Sequence, residues 1–135
     1  MKKPMSVKNY MASELITFKP ETNVLAAIRT LLEHKISGAP VVDETGWIVG
    51  IISEYDCLKP NLESSYHNDM GNLVKDIMSS KIRTIDANAS LTQAAELFIK
   101  HGVRRLPVVE NKKLIGQISR RDVLHAINES VETVE

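Results

Sequence analysis

The chain has 135 residues, enough to bury a core of its own, and its hydrophobic content of 43% excludes a disordered protein. Its 17 basic and 17 acidic side chains cancel, so no overall charge attracts DNA, RNA or an anionic membrane, and nucleic acid is not expected as the main partner. Aromatic residues make up only 4%, which predicts an aliphatic core.

The N-terminal segment MKKPMSVKNYM has no apolar stretch after its lysines, and no run in the sequence approaches membrane-spanning length. We therefore expect a cytoplasmic protein without a signal peptide or a membrane partner. The single cysteine, Cys57, excludes an internal disulfide and a cysteine-based metal site. Its simplest interpretation is a small buried residue in a reducing compartment.

The first half of the chain predicts the element order β-α-β-β-α. A short strand, LITF, precedes an amphipathic helix for which Asn23 is the expected N-cap. The apolar face of this helix is formed by Val24, Ala27, Ile28, Leu31 and Leu32. Two strands follow, APVV and WIVGII, joined by a polar turn, and YDCLK begins a second helix.

The same order returns after the polar segment KPNLESSYHNDMGN, whose composition is typical of a linker. The second copy has a strand IRTI, a helix behind the capping box Ser90 to Gln93, strands LPVV and LIGQI, and a final helix starting at RDVLHAIN. The apolar face of its first helix is formed by Leu91, Ala94, Ala95, Phe98 and Ile99. We predict a first repeat at residues 5–60, a linker at 61–72, a second repeat at 73–128 and an acidic C-terminal tail at 129–135.

The two copies align at an offset of 67 residues, as from Val7 to Val74 and from Pro40 to Pro107. A repeat of about 60 residues is only marginally stable alone. We therefore predict an α/β (α+β) fold in which two β-α-β-β-α repeats pack sheet to sheet with pseudo-twofold symmetry.

One motif recurs where a strand runs into a helix: GIISEYD in the first copy and GQISRRD in the second. A serine hydroxyl and the free amides of a first helical turn favour an anion, and an aspartate three residues later can accept two hydrogen bonds from the diol of a ribose. The same Ser-x-x-Asp spacing also forms a helix capping box that needs no ligand. The motif alone leaves both interpretations open.

Other polar residues accompany the motif. Arg104 and Arg105 stand just before a proline that opens a strand, where guanidinium groups could clamp phosphate oxygens. Thr17 and Thr84 end the first strand of each copy, either as ligand-binding hydroxyls or as ordinary β-formers. His34 and His101, near helix C-termini, are expected to be cap or dipole partners rather than metal ligands.

With SGAPVVD and RRLPVVE before these duplicated motifs, the sequence closely resembles a tandem pair of CBS domains, named after cystathionine β-synthase and also called a Bateman module. The resemblance covers about residues 5–128. It implies a regulatory module, requiring no cofactor, whose clefts between the repeats bind AMP, ADP, ATP or S-adenosylmethionine. It also implies a homodimer that signals to a separate effector protein, which the sequence does not identify.

The resemblance also assigns roles to residues. Asp56 and Asp122 match the aspartates that hold ribose hydroxyls, and Ser53 and Ser119 match the hydroxyls that contact phosphate. The three residues just before the proline of each copy match those that line base and phosphate. The expected ligand-binding residues are Thr17, Ser37, Gly38, Ala39, Pro40, Ser53, Asp56, Thr84, Arg104, Arg105, Leu106, Pro107, Ser119, Arg120, Arg121 and Asp122.

The copies differ in charge, since the second has Arg104, Arg105 and Arg120 where the first has Ser37, Gly38 and Glu54. We expect the cleft that gathers the arginines to bind a phosphorylated ligand, and the other to bind weakly, stay empty or take an uncharged adenosyl group. The alternative function is a constitutive dimerisation or protein-interaction module without nucleotide binding. Catalysis is not expected, because no nucleophile, base and orienting acid occur at suggestive spacing.

Overall fold

The structure, a computed structural model, describes residues 5–63 and 72–134, and it begins with a 3-10 helix at Val7–Asn9. The first repeat contains α1 (Val24–His34), β1 (Gly38–Val42), β2 (Ile48–Ser53) and α2 (Glu54–Glu63), and α3 (Val74–Ile77) follows. The second repeat contains β3 (Ile85–Asp86), α4 (Leu91–His101), β4 (Arg105–Glu110), β5 (Lys113–Ser119) and α5 (Arg120–Val134). The predicted mixture of helices and short strands is confirmed.

The first long helix of each repeat begins at its predicted cap. Asn23 Oδ1 accepts hydrogen bonds from the backbone N–H groups of Leu25, at 2.8 Å, and Ala26, at 3.3 Å. At α4, Ser90 Oγ accepts from the Gln93 N–H at 3.0 Å, and Gln93 Oε1 accepts from the Ser90 N–H at 2.9 Å. Both predicted caps are confirmed because each side chain satisfies amides that the helix itself leaves free.

The two sheets repeat one topology. β1 pairs antiparallel with β2, and β4 pairs antiparallel with β5. β3 runs parallel to β4 with Ile85 opposite Val108, and the corresponding piece of the first repeat is reduced to a parallel bridge between Phe18 and Val41. The predicted strand LITF is therefore a single bridge and not a full strand.

The first residues of each repeat, called here its leading segment, join the sheet of the other repeat. Ala12 pairs antiparallel with Gln117 on β5, and Ser79 pairs antiparallel with Ile51 on β2. The chain accordingly forms one compact unit of Ile16–Ile82, here the first unit, and one of Met1–Leu15 with Arg83–Glu135, here the second unit. These units divide the chain at different places from the predicted sequence repeats.

Each unit has an apolar core of its own. In the first unit Phe18, Leu31 and Ile52 are buried together, and in the second unit Phe98 and Ile118 are among the buried residues. Cys57 lies in the first core with 6% of its surface exposed, so its predicted burial is confirmed.

The predicted helix faces are one residue too wide. Leu32 on α1 is 70% exposed and Ile99 on α4 is 85% exposed, although both belong to the apolar spacing. These are the i+8 positions, which lie about 80° around the helix from the first apolar residue. They therefore fall at the edge of the face that meets the sheet.

Two helices run further than the sequence indicated. α2 continues to Glu63, past the predicted end of the first repeat, and α5 continues to Val134, through most of the predicted acidic tail. Residues 64–71 of the predicted linker lie outside the described residues. Across residues 5–63 and 72–134, no helix combines the length and the apolar character that crossing a membrane requires.

Helix α1 ends in a backbone conformation that suits glycine better than lysine. Lys35 is left-handed with φ 54° and ψ 44°, whereas the equivalent cap of α4 is Gly102 with φ 64°. We expect Lys35→Gly to raise the free energy of unfolding by about 0.5 to 1 kcal/mol, because a β-carbon is unfavourable there. Urea denaturation measures the change.

Gly102→Ala is the matched control. No described atom lies within 4 Å of a β-carbon at that position, so the substitution changes the backbone preference and not the packing. It should lower the free energy of unfolding by about 1 kcal/mol. A Lys35→Gly protein no more stable than the parent would show that the lysine side chain compensates for its conformation.

Candidate functional site

The second copy of the recurring motif forms a tight strand-to-helix corner. β5 ends at Ser119 and α5 begins at the next residue. The Ser119 N–H donates to Asp122 Oδ2 at 2.8 Å, and the Asp122 N–H donates to Ser119 Oγ at 3.1 Å. These reciprocal bonds are a capping box, and they hold the carboxylate against the start of the helix.

The first copy repeats this geometry. The Ser53 N–H and the Ser53 hydroxyl both donate to Asp56 Oδ2, each at 2.9 Å, and the Asp56 N–H donates to Ser53 Oγ at 3.2 Å. Both aspartates are half-buried. The ligand-free interpretation of the motif, a capping box, is therefore present at both corners.

The capping boxes use only one oxygen of each carboxylate. Within the described residues, no protein group donates to Oδ1 of Asp56 or of Asp122. Each Oδ1 can accept a further hydrogen bond, and the cap holds its orientation without a ligand. The capping and ligand-binding interpretations are thus compatible at the same residue.

The beginning of the neighbouring strand lies beside each corner. Gly38 pairs with Ser53 across β1 and β2, and Arg105 pairs with Ser119 across β4 and β5. The Glu54 N–H donates to the Ser37 carbonyl at 2.9 Å, and the Arg120 N–H donates to the Arg104 carbonyl at 3.2 Å. We name two sets: the first corner is Ser37, Gly38, Ser53, Glu54 and Asp56, and the second corner is Arg104, Arg105, Ser119, Arg120 and Asp122.

Arginine side chains are exposed at the second corner. Within the described residues, the guanidinium groups of Arg104, Arg105 and Arg121 have no protein partner. Arg120 differs, since its Nε donates to the Val103 carbonyl at 2.9 Å, which restricts the position of its guanidinium. This role of Val103 could not be predicted from the sequence, because the acceptor is a backbone atom.

The first corner is closely packed where the second has an arginine. A β-carbon at Gly38 would lie 2.8 Å from the Ile52 carbonyl oxygen. The backbone there leaves no room for a side chain without a shift. An arginine such as Arg105 therefore cannot be placed at this position of the first corner without moving the strand.

The remaining predicted residues lie further from the corners. Thr17 is exposed and Thr84 is half-buried. Thr17 immediately precedes Phe18, which bridges to β1, and Thr84 immediately precedes Ile85, which pairs with β4. The side chains of four residues are buried in the strands: Ala39, Pro40, Leu106 and Pro107. Any ligand contact by these four would have to involve backbone atoms.

Two titratable groups among the described residues have pKa values that are shifted by their surroundings. Burial, and after it the carboxylates of Asp56 and Glu54, raises the pKa of the Cys57 thiol, which disfavours the nucleophilic thiolate. The His101 ring lies 3.2 Å from Arg83 Nη1. Partial desolvation of the ring, and to a smaller extent the positive charges of Arg83 and Lys100, lowers the pKa of His101. The lowered pKa favours the neutral imidazole over the imidazolium.

The family model for the CBS domain matches the chain twice, at residues 7–61 and 74–129. The two matched ranges contain the two corners. The chain belongs to the CBS-domain family, and it contains a tandem pair of these domains.

Known relatives cover nearly all of the chain. It is 31% identical over 139 residues to the chloroplastic CBS domain-containing protein CBSX1 of Arabidopsis thaliana, a match that covers 84% of this chain and 59% of CBSX1. The chain thus spans less than two thirds of that relative. The crystal structure of the CBS-pair protein CBSX2 from Arabidopsis thaliana matches with a TM-score of 0.80 and 30% identity over 96% of this chain and 99% of that one. CBSX2 in complex with AMP matches with a TM-score of 0.77 and 32% identity over 93% and 97% of the two chains.

Proposed function

We propose that this chain is a regulatory module that binds an adenosine-containing nucleotide at its strand-to-helix corners and signals to a separate partner protein. The main support is Oδ1 of Asp56 and of Asp122, to which none of the described residues donates a hydrogen bond and which the capping boxes hold in place. A complex of the relative CBSX2 with AMP supports the ligand class. ADP, ATP and S-adenosylmethionine stay predictions, as does a cytoplasmic location.

The corner suits a nucleotide because the cap already orients its carboxylate and because arginines lie beside it. Oδ1 of Asp122 can accept from a ribose hydroxyl, while Oδ2 stays in the cap. Arg104 and Arg105 offer guanidinium groups to phosphate oxygens. The capped carboxylate needs little rearrangement to bind, whereas ordering the exposed side chains of Arg104 and Arg105 would cost part of the binding free energy. Regulation would follow if the partner prefers the liganded state, since a ligand shifts an equilibrium only by its difference in affinity between states.

Asp122→Asn tests the proposal while leaving the fold intact. An asparagine oxygen can still accept from the Ser119 N–H, so the cap is kept, whereas the carboxylate is no longer available to a ribose diol. A ligand at a hundred times its Kd stabilises the protein by about 2.7 kcal/mol, which appears as an increase of several degrees in Tm. We expect AMP or ATP to produce this increase in the parent protein and Asp122→Asn to lose most of it.

Asp56→Asn is the matched control at the first corner, and Tm without ligand checks that both variants keep their caps. An equal increase with AMP in the parent and in both variants would exclude the carboxylates as ribose acceptors. No response to adenosine, AMP, ATP or S-adenosylmethionine would exclude nucleotide sensing.

A constitutive interaction module is the second candidate. It is favoured by the capping boxes, which are complete without a ligand, and by an apolar row on α5. Leu124, Ile127 and Val131 lie on one side of this helix with 63%, 51% and 57% of their surfaces exposed. A homodimer stays a prediction of both candidates, and the ligand response described above separates them.

A further inference from the structure

We infer that Met11 and Met78 are modification sites, at which a peroxide converts the thioether to a sulfoxide and thereby loosens the leading segment that carries the methionine. The position of each sulfur atom against a glycine, its partial exposure and the acceptor atoms beside it support this assignment. The modification is independent of nucleotide binding and adds to the proposed function a response to oxidants.

Each sulfur atom fills the space that a glycine on the facing strand leaves free. A β-carbon at Gly116 on β5 would overlap the Met11 Sδ, and a β-carbon at Gly50 on β2 would overlap the Met78 Sδ. Met11 packs against the core of the second unit, and Met78 packs against the core of the first unit. Because both units contain this close contact, an oxygen atom added on the side of the sheet has no room in either one.

The backbone atoms beside the sulfur do not suit a sulfoxide. The Ala12 carbonyl oxygen lies 2.8 Å from the β-carbon position of Gly116. The Ala12 and Gln117 N–H groups each donate to the other residue's carbonyl at 2.9 Å, as the Ser79 and Ile51 N–H groups do in the first unit. A sulfoxide oxygen is itself an acceptor, so the carbonyl repels it and these amides are already occupied. We therefore expect the oxidised side chain to leave the glycine and weaken the bridge beside it.

Partial exposure makes these two sulfur atoms available to a small oxidant. Met11 and Met78 are half-buried. Cys57 is buried, and the loss of water raises the pKa of its thiol, which disfavours the reactive thiolate. Met5 is exposed, so its oxidation should change the packing little. Within the described residues, Met11 and Met78 thus combine access to the oxidant with a packed sulfur.

Hydrogen peroxide is sufficient for the reaction. A lone pair on Sδ attacks one peroxide oxygen, the S–O bond forms as the O–O bond breaks, and the second oxygen leaves as water after proton transfer. The sulfur is oxidised by two electrons and the peroxide is reduced. A methionine sulfoxide reductase reverses the change, so the modification can act as a switch.

Peroxide treatment of the folded protein, followed by peptide mapping and hydrogen exchange, tests the inference. Mass spectrometry of the peptides shows when Met11 and Met78 each carry one added oxygen. The Gln117 and Ile51 amides should then exchange about tenfold faster, because each belongs to the bridge beside an oxidised side chain. A methionine sulfoxide reductase should restore the original exchange rates.

Leucine variants assign the effect to each sulfur atom, because leucine has a similar volume and cannot form a sulfoxide. Met11→Leu should cancel the acceleration at Gln117 and leave the acceleration at Ile51, and Met78→Leu should do the opposite. Met5→Leu is the matched control and should respond to peroxide as the parent protein does. The Tm of each variant before treatment checks that leucine preserves the packing.

Three outcomes would overturn the inference. Unmodified Met11 and Met78 after complete oxidation of Met5 would show that the fold shields both sulfur atoms. Complete oxidation with unchanged exchange would show that the sulfoxides are accommodated in place. Acceleration that persists in the double variant Met11→Leu/Met78→Leu would assign the response to another residue, such as Cys57.

Discussion

Val7→Ala will destabilise the second unit, although Val7 lies at the start of the first repeat in the sequence. Val7 is wholly buried in the core that contains Ile85, Leu106 and Ile118. Its N–H donates to the Ala89 carbonyl at 2.9 Å. Removing two methyl groups from a filled core costs their transfer free energy and leaves a cavity, together about 2 kcal/mol.

Hydrogen exchange locates this effect. The Gln117 N–H donates to Ala12 in the second unit, and the Ile51 N–H donates to Ser79 in the first unit, both at 2.9 Å. In Val7→Ala the Gln117 amide should exchange about 30-fold faster, the equivalent of 2 kcal/mol, and the Ile51 amide should change much less.

Val74→Ala is the matched control, because Val74 is also wholly buried and its N–H donates to the Thr22 carbonyl at 2.8 Å in the first unit. Val74→Ala should accelerate exchange of the Ile51 amide and change exchange of the Gln117 amide much less. If Val7→Ala instead accelerates exchange mainly at Ile51, each leading segment belongs to its own repeat, contrary to the structure.

Gly116→Ala should also destabilise the protein strongly. A β-carbon there would overlap the Met11 sulfur and lie 2.8 Å from the Ala12 carbonyl oxygen. The same contact recurs at Gly50, where the Met78 sulfur is in the way but the Ser79 carbonyl oxygen is 3.1 Å distant. Overpacking of this kind costs about 1 to 3 kcal/mol. We expect Gly116→Ala to lower the free energy of unfolding more than Gly50→Ala does, because the backbone carbonyl of Ala12 cannot rotate away.

Double-mutant cycles separate the sulfur from the carbonyl. Met78→Ala should offset most of the cost of Gly50→Ala, since the main obstacle there is a side chain. Met11→Ala should offset only part of the cost of Gly116→Ala, since the Ala12 carbonyl remains. Urea denaturation of the single and double variants gives both coupling energies. Additive effects at both glycines would mean that the methionines do not pack on them.

Local features of the fold were predictable from the sequence. Asn23 and the Ser90 to Gln93 pair cap their helices as expected, because capping depends on residues within one turn of each other. The duplicated corners were also visible, since the spacing of serine and aspartate is local. The mistaken burial of Leu32 and Ile99 shows where periodicity stops being sufficient, because it does not specify the width of the contact with the sheet.

The exchange of the leading segments could not be predicted in this way. Val7 and Val74 are the same residue type and have similar neighbours in the sequence. No residue near either valine indicates which of the two sheets its segment joins. Pairing of Ala12 with Gln117 spans more than a hundred residues. Only the folded chain decides such a contact, because its register depends on which core has room for the valine.

The same distinction applies to the candidate site. The sequence by itself determined which residue types recur, that both motifs carry an aspartate, and that the positions matching Ser37, Gly38 and Glu54 are arginines in the second copy. The tertiary structure decided that Asp122 uses one oxygen in its cap, that Arg105 lies opposite Ser119, and that Val103 holds Arg120. These features depend on strand pairing and on backbone acceptors, which bring distant residues together and have no signature in the order of the side chains.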